Sequence, residues 1–103
     1  MSRSSITTKK FPPVHPGRIL AEDLADAGIS MNQLAIAIGV PMNRISAIVN
    51  GRRGITGDTA VRLARYWGTS AEYWMNMQSG YELDVARDAL ADSVGHIKPR
   101  NAA

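Results

Sequence analysis

The sequence predicts an all-α domain built from five short helices. Three observations predict it. Helix start and stop signals recur in pairs along the chain. No alternation of period two survives for four residues between turn signals. The 103 residues suffice for one modest core and leave no room for a second domain.

The elements follow in order. Pro16 suits the first turn of a helix, where its missing N–H is no loss, and His15 stands in place to cap that helix. Ile19, Leu20, Leu24 and Ala27 then repeat at helical spacing until Gly28 supplies a left-handed stop. Ser30 and Gln33 form a capping box that opens a second helix, ended by Gly39. Pro41 opens a third, running through Asn50 and closed by Gly51. Thr56 caps a fourth, with Asp58 in its positive first turn, and Gly68 ends it after Trp67. Asp58 and Arg62, four apart, make a surface ion pair. Ser70 caps a fifth helix that extends to about Ala91, with Gly80 a position for a bend or break. Trp67, Tyr73, Trp74 and Met77 read as core closing the fourth helix on the fifth. The expected organisation is a flexible arm at 1–13, a helical domain at 14–91 and a flexible tail at 92–103.

Composition excludes several classes of function. There is no cysteine, so disulfides, thiolate metal sites and a cysteine nucleophile are ruled out, which suits a reducing cytoplasm. The two histidines, His15 and His96, are far apart and have no metal-binding neighbours. No apolar run approaches the ~18 residues of a membrane span, and the N-terminus lacks the apolar stretch of a secretory signal. No nucleophile–base set or carboxylate pair has a spacing that demands chemistry, so neither an enzyme nor a cofactor is expected. The net charge of +3 is unevenly spread. Residues 1–20 carry Arg3, Lys9, Lys10 and Arg18 with no acid, and residues 51–70 carry Arg52, Arg53, Arg62 and Arg65 against Asp58. Two basic clusters separated by acidic stretches suit phosphate contact.

The segment Met31 to Asn50 carries the sharpest signal. Two short helices joined by a tight turn cross steeply, so the first needs a small residue at the crossing, and Ala35 supplies it. Four positions later the chain reverses with positive φ at Gly39. Val40 plugs the core beneath the turn, Ile45, Ile48 and Val49 form the inner face of the second helix, and Leu34 and Ile38 complete the first. Each residue alone is common; the full spacing together with the caps is that of the helix-turn-helix of DNA-binding regulators. On the outward face of the second helix, Asn43, Ala47 and Asn50 point away from the core, with Arg44 and Ser46 on the flanks and Met42 leading. Asparagine and arginine read adenine and guanine edges in the major groove, and alanine meets a thymine methyl. Arg52 and Arg53 follow where a recognition helix leaves the groove beside phosphate, while Ser30, Asn32 and the free N–H groups behind them suit the other strand. Tyr81, Leu83, Val85 and Leu90 exceed what five short helices bury and suggest a dimer surface.

Beyond this motif, His15-Pro16-Gly17 with Ile19-Leu20, the run Val49 to Thr56, Asp58-Thr59-Ala60, Arg62-Leu63-Ala64, Gly68-Thr69-Ser70 and Trp74 to Gln78 closely resemble the HigA (VapI-like) antitoxins of the XRE helix-turn-helix class. The resemblance covers roughly residues 14–86. It implies a five-helix lambda-repressor-like DNA-binding domain and a homodimer that binds operator DNA and represses its own operon. It also implies a complex with a small HigB-like toxin, an mRNA endonuclease that the antitoxin blocks. Met42-Asn43 stands where the family has a polar residue opening the recognition helix, so the operator sequence does not carry over. The competing readings are a stand-alone repressor without a toxin, and a helical protein–protein module that has lost DNA binding.

Overall fold

The computed structural model describes residues 12–101, so the expected arm at 1–13 lies almost wholly outside the described residues. Five helices follow one another: α1 (Pro16–Ala27), α2 (Met31–Ile38), α3 (Met42–Val49), α4 (Gly57–Trp67) and α5 (Ala71–Val94). Among the described residues there is no strand. The all-helical class and the helix order match the reading of the sequence.

The helix starts have separate physical causes. Gly17 N–H donates to His15 Nδ1 at 2.9 Å, which caps α1 with Pro16 in its first turn. At α2 the capping box closes both ways: Gln33 N–H donates to Ser30 Oγ at 3.0 Å, and Ser30 N–H donates to Gln33 Oε1 at 2.8 Å. Tyr73 N–H donates to Ser70 Oγ at 3.0 Å and starts α5. Thr56 stands at the cap position of α4 with extended backbone, but its hydroxyl takes no cap hydrogen bond. The acidic group at that helix start is Asp58, whose charge suits the positive end of the helix.

The core gathers Leu20 and Leu24 of α1, Leu34, Ala35 and Ile38 of α2, Ile45 and Ile48 of α3, Ile55, Ala60 and Leu63, and Trp74 of α5. Trp74 is wholly enclosed, and its Nε1–H donates to Thr69 Oγ1 at 2.9 Å, so its one polar atom is paired. Tyr73, expected in this core, is instead 43% exposed. It neighbours Trp74 on the helix, about 100° further round, so both rings cannot face inward. Its ring stands edge-on to Trp74 with centroids 5.2 Å apart. Trp67 and Met77 lie half-buried at the rim of the core.

α1 crosses α3 so closely that a Cβ at Gly17 would run into the backbone carbonyl of Ile48. The approach of these two helices therefore depends on a missing side chain at one position.

α5 is unbroken through Gly80 and ends at Val94, three residues beyond the expected Ala91. A glycine inside a helix costs only about 1 kcal/mol relative to alanine, too little to break a helix with intact turns on both sides. The last buried residue of α5 is Gln78, and beyond it only Tyr81 is half-buried. The free half of α5 stretches the molecule to 55 × 26 × 23 Å.

Two outcomes follow from this packing. Gly17→Ala should destabilise the fold by at least about 2 kcal/mol in urea unfolding, because backbone has to move; unaltered stability would show that α1 and α3 separate freely. His15 is held below its ordinary value of 6.5, chiefly because burial penalises the charged ring, with a backbone interaction at Arg53 acting the other way. A histidine whose folded pKa is depressed favours folding while neutral. Its contribution is complete above the unfolded pKa and is lost as pH falls from there through the folded value. The wild type should therefore lose thermal stability as the pH falls below about 6.5, whereas His15→Asn, which keeps a capping acceptor, should be flatter over the same fall. Parallel curves would contradict this role.

Candidate nucleic-acid interface

The turn between α2 and α3 sets the geometry. Gly39 adopts φ 74°, and Gly39 N–H and Val40 N–H both donate to the carbonyl of Ala35, at 2.9 and 3.0 Å. Ala35 itself is buried at the crossing. The carbonyl end of α2 is met by Arg62 of α4, whose Nη1 donates to Ile38 O at 2.7 Å and reaches Gly39 O at 3.4 Å. A guanidinium there faces the negative end of the helix dipole. Nothing in the sequence alone assigns Arg62 to this turn, since the partners are 24 and 23 residues apart.

α3 has two faces. Ile45 and Ile48 are fully buried and Val49 packs on them. On the other side Met42, Asn43 and Asn50 are exposed, and Ser46 and Ala47 are half-exposed. Asn50 Nδ2 donates to Ser46 Oγ at 3.3 Å, which groups these two polar side chains at the C-terminal end of the face. Arg44, expected on the flank of this face, is held there by a contact with another helix. Its Nη1 donates to Asp58 Oδ1 at 3.0 Å, its Nε is enclosed without a partner, and its side chain is only 24% exposed.

Arg52 and Arg53 are exposed in the loop after α3, and their amides both donate back to the Ala47 carbonyl, at 2.8 and 3.2 Å. The end of this loop is fixed from α5. Ile55 N–H donates to the buried Gln78 Oε1 at 2.7 Å, and Gln78 Nε2 donates to Glu82 Oε2 at 2.8 Å. Gln78 was legible only as part of a family-like stretch. The physical clue is a polar residue four positions after the fully buried Trp74, hence on the same helix face.

At the start of α2, Ser30 and Asn32 are exposed. Ser30 Oγ accepts from Gln33 N–H, which leaves its own hydroxyl hydrogen free to donate outward. Asp58 anchors the opposite flank. Arg62 Nε donates to its Oδ1 at 2.8 Å, so the expected pair is present, and Arg44 shares the same oxygen. The Arg62 hydrogen bond first, and Arg44 with it, hold the Asp58 carboxyl below the ordinary carboxylate range despite slight desolvation.

The four expected dimer residues divide between two sides of α5. At about 100° per residue, Leu83 and Leu90 fall within about 20° of each other, and Tyr81 and Val85 lie roughly 160° away. Tyr81 is half-buried, its ring edge-on to His15 with centroids 4.9 Å apart, in a groove shared with Val14, Ile19 and Met77. Leu83, Val85 and Leu90 are all exposed. No helix among the described residues is long and apolar enough to cross a membrane.

Residues 20–74 match the family model described as Helix-turn-helix. The chain is 49% identical over 78 residues to virulence-associated protein I of Dichelobacter nodosus, which covers 75% of this chain and 72% of that protein. Its fold is similar to that of an addiction module antidote protein of a HigA family from Coxiella burnetii, with TM-score 0.84 and 43% identity, over 86% of this chain and 99% of that one. It is equally similar to the Pseudomonas aeruginosa antitoxin HigA solved with the higBA promoter, with TM-score 0.82 and 42% identity, over 85% and 98% of the two chains.

Proposed function

The chain belongs to the HigA (VapI-like) antitoxin family of XRE-type helix-turn-helix proteins, a DNA-binding and non-enzymatic family, and we propose that it is the antitoxin of a type II toxin–antitoxin pair. In this reading it binds operator DNA as a dimer, represses its own operon and neutralises a small HigB-like mRNA endonuclease by direct contact. The single observation that carries the DNA half is the outer face of α3, exposed on a helix whose inner face is locked into the core. The solved Pseudomonas relative was determined with promoter DNA, which supports the same engagement here.

In the proposed complex α3 enters the major groove with Met42 and Asn43 leading and Arg44, Ser46, Ala47 and Asn50 along the base edges. Arg52 and Arg53 meet phosphate as the chain leaves the groove, and Ser30 and Asn32 meet phosphate across it at the start of α2. We assign dimerisation to the free half of α5, led by the Leu83 and Leu90 stripe, with Tyr81 and Val85 on the side nearer α1. A two-fold pair of this kind sets its recognition helices about 34 Å apart, one turn of duplex.

Co-expression with the adjacent open reading frame, followed by size-exclusion chromatography and a gel shift on the upstream DNA, tests the whole reading. A co-eluting small partner and a shifted duplex are expected. A shift without any partner would make the protein a stand-alone repressor, and no shift would defeat the DNA half. At the level of residues, Asn43→Ala should lose about 1–3 kcal/mol on the operator and little on random duplex. Arg52→Ala and Arg53→Ala should weaken both alike and flatten the salt dependence by about one unit for each phosphate no longer neutralised.

A further inference from the structure

We infer that Asp58 is a positioning residue for recognition: it holds the Arg44 guanidinium in a fixed presentation on the flank of α3 and so sharpens discrimination between operator and other DNA. The inference rests on the reading of α3 as the helix that enters the groove.

Arg44 and Asp58 lie on different helices, 14 residues apart, and meet at 3.0 Å. The same Asp58 oxygen takes Arg62 Nε at 2.8 Å, and Arg62 continues to the Ile38 carbonyl at 2.7 Å. One carboxylate thus ties the recognition helix and, through Arg62, the end of α2 to the first turn of α4. Arg44 Nε is enclosed and one Nη1 hydrogen is taken, so the only donors free to turn outward are those of Nη2 and the remaining Nη1 hydrogen.

Two physical effects then separate. Stability is the smaller, because the Asp58 carboxylate is more than half exposed and water screens the pair. Order is the larger. An arginine on an open helix surface loses many rotamers when it docks. Here that loss has already occurred on folding, and pre-organised donors favour the one geometry that matches a base edge. Asp58 also cancels one positive charge beside the groove-facing helix. Arg44 accordingly contributes direction more than general attraction for phosphate, and that favours operator over random sequence.

The test uses the full chain, a duplex that the protein itself selects from a random pool, and a scrambled duplex of the same composition. Asp58→Asn keeps the size and a hydrogen-bond acceptor at the start of α4, and a thermal melt checks that the variant folds. In the wild-type background it should lower the selected-to-scrambled affinity ratio about fivefold to tenfold, with scrambled-duplex binding strengthened and its salt dependence steeper. In an Arg44→Ala background, Asp58→Asn should leave the already reduced ratio unchanged. An equal fall in both backgrounds would overturn the inference, because Asp58 would be acting through something other than Arg44. An unchanged ratio in Asp58→Asn while Arg44→Ala lowers it would also overturn it and leave the base-reading role of Arg44 standing. A ratio untouched by Arg44→Ala would remove that role and the inference with it.

Discussion

The carbonyl of Ala35 accepts two backbone amides, from Gly39 and Val40, and everything at the proposed interface hangs on that reversal. The turn is tight because both amides return to one oxygen and Gly39 takes the left-handed conformation. It leaves α2 and α3 crossing over a small residue, and it forces Ile45 and Ile48 inward. Once those two isoleucines are buried, the opposite side of α3 has no choice but to face out. A larger residue at position 35 would push the helices apart and turn that face. The proposed recognition surface is thus a by-product of core packing.

Local constraints were legible in the sequence because they act over a few residues. The caps at His15, Ser30 and Ser70, the stops at Gly28, Gly39 and Gly68, and the inward set of the helix-turn-helix all stand where their spacing placed them. What escaped was tertiary. The Arg44–Asp58 contact joins two helices whose mutual orientation no local pattern encodes, and the buried Gln78 bridging α5 to Ile55 spans 23 residues. Tyr73 failed for another reason: adjacent aromatic residues on a helix diverge, and apolar character alone does not say which of two neighbours turns inward. Thr56 has the right residue type and backbone for a cap without the hydrogen bond, since the hydroxyl rotamer is not dictated by the chain.

The molecule also divides its polar groups by task. Trp74 and Gln78 keep theirs inside the fold, where Trp74 donates to Thr69 and Gln78 accepts from the Ile55 amide. Asn43, Arg52 and Arg53 leave theirs in water. Arg44 stands between the two groups, half committed to Asp58 and half open. That intermediate state distinguishes a restrained side chain from a merely solvated one.

α5 is a single rod of 24 residues, rooted by Trp74, Gln78 and the half-buried Tyr81 and exposed beyond them. The root is where Gln78 grips the backbone of the basic loop. The helix that projects farthest from the core thus also carries, at its root, the side chain that fixes the end of the loop bearing Arg52 and Arg53.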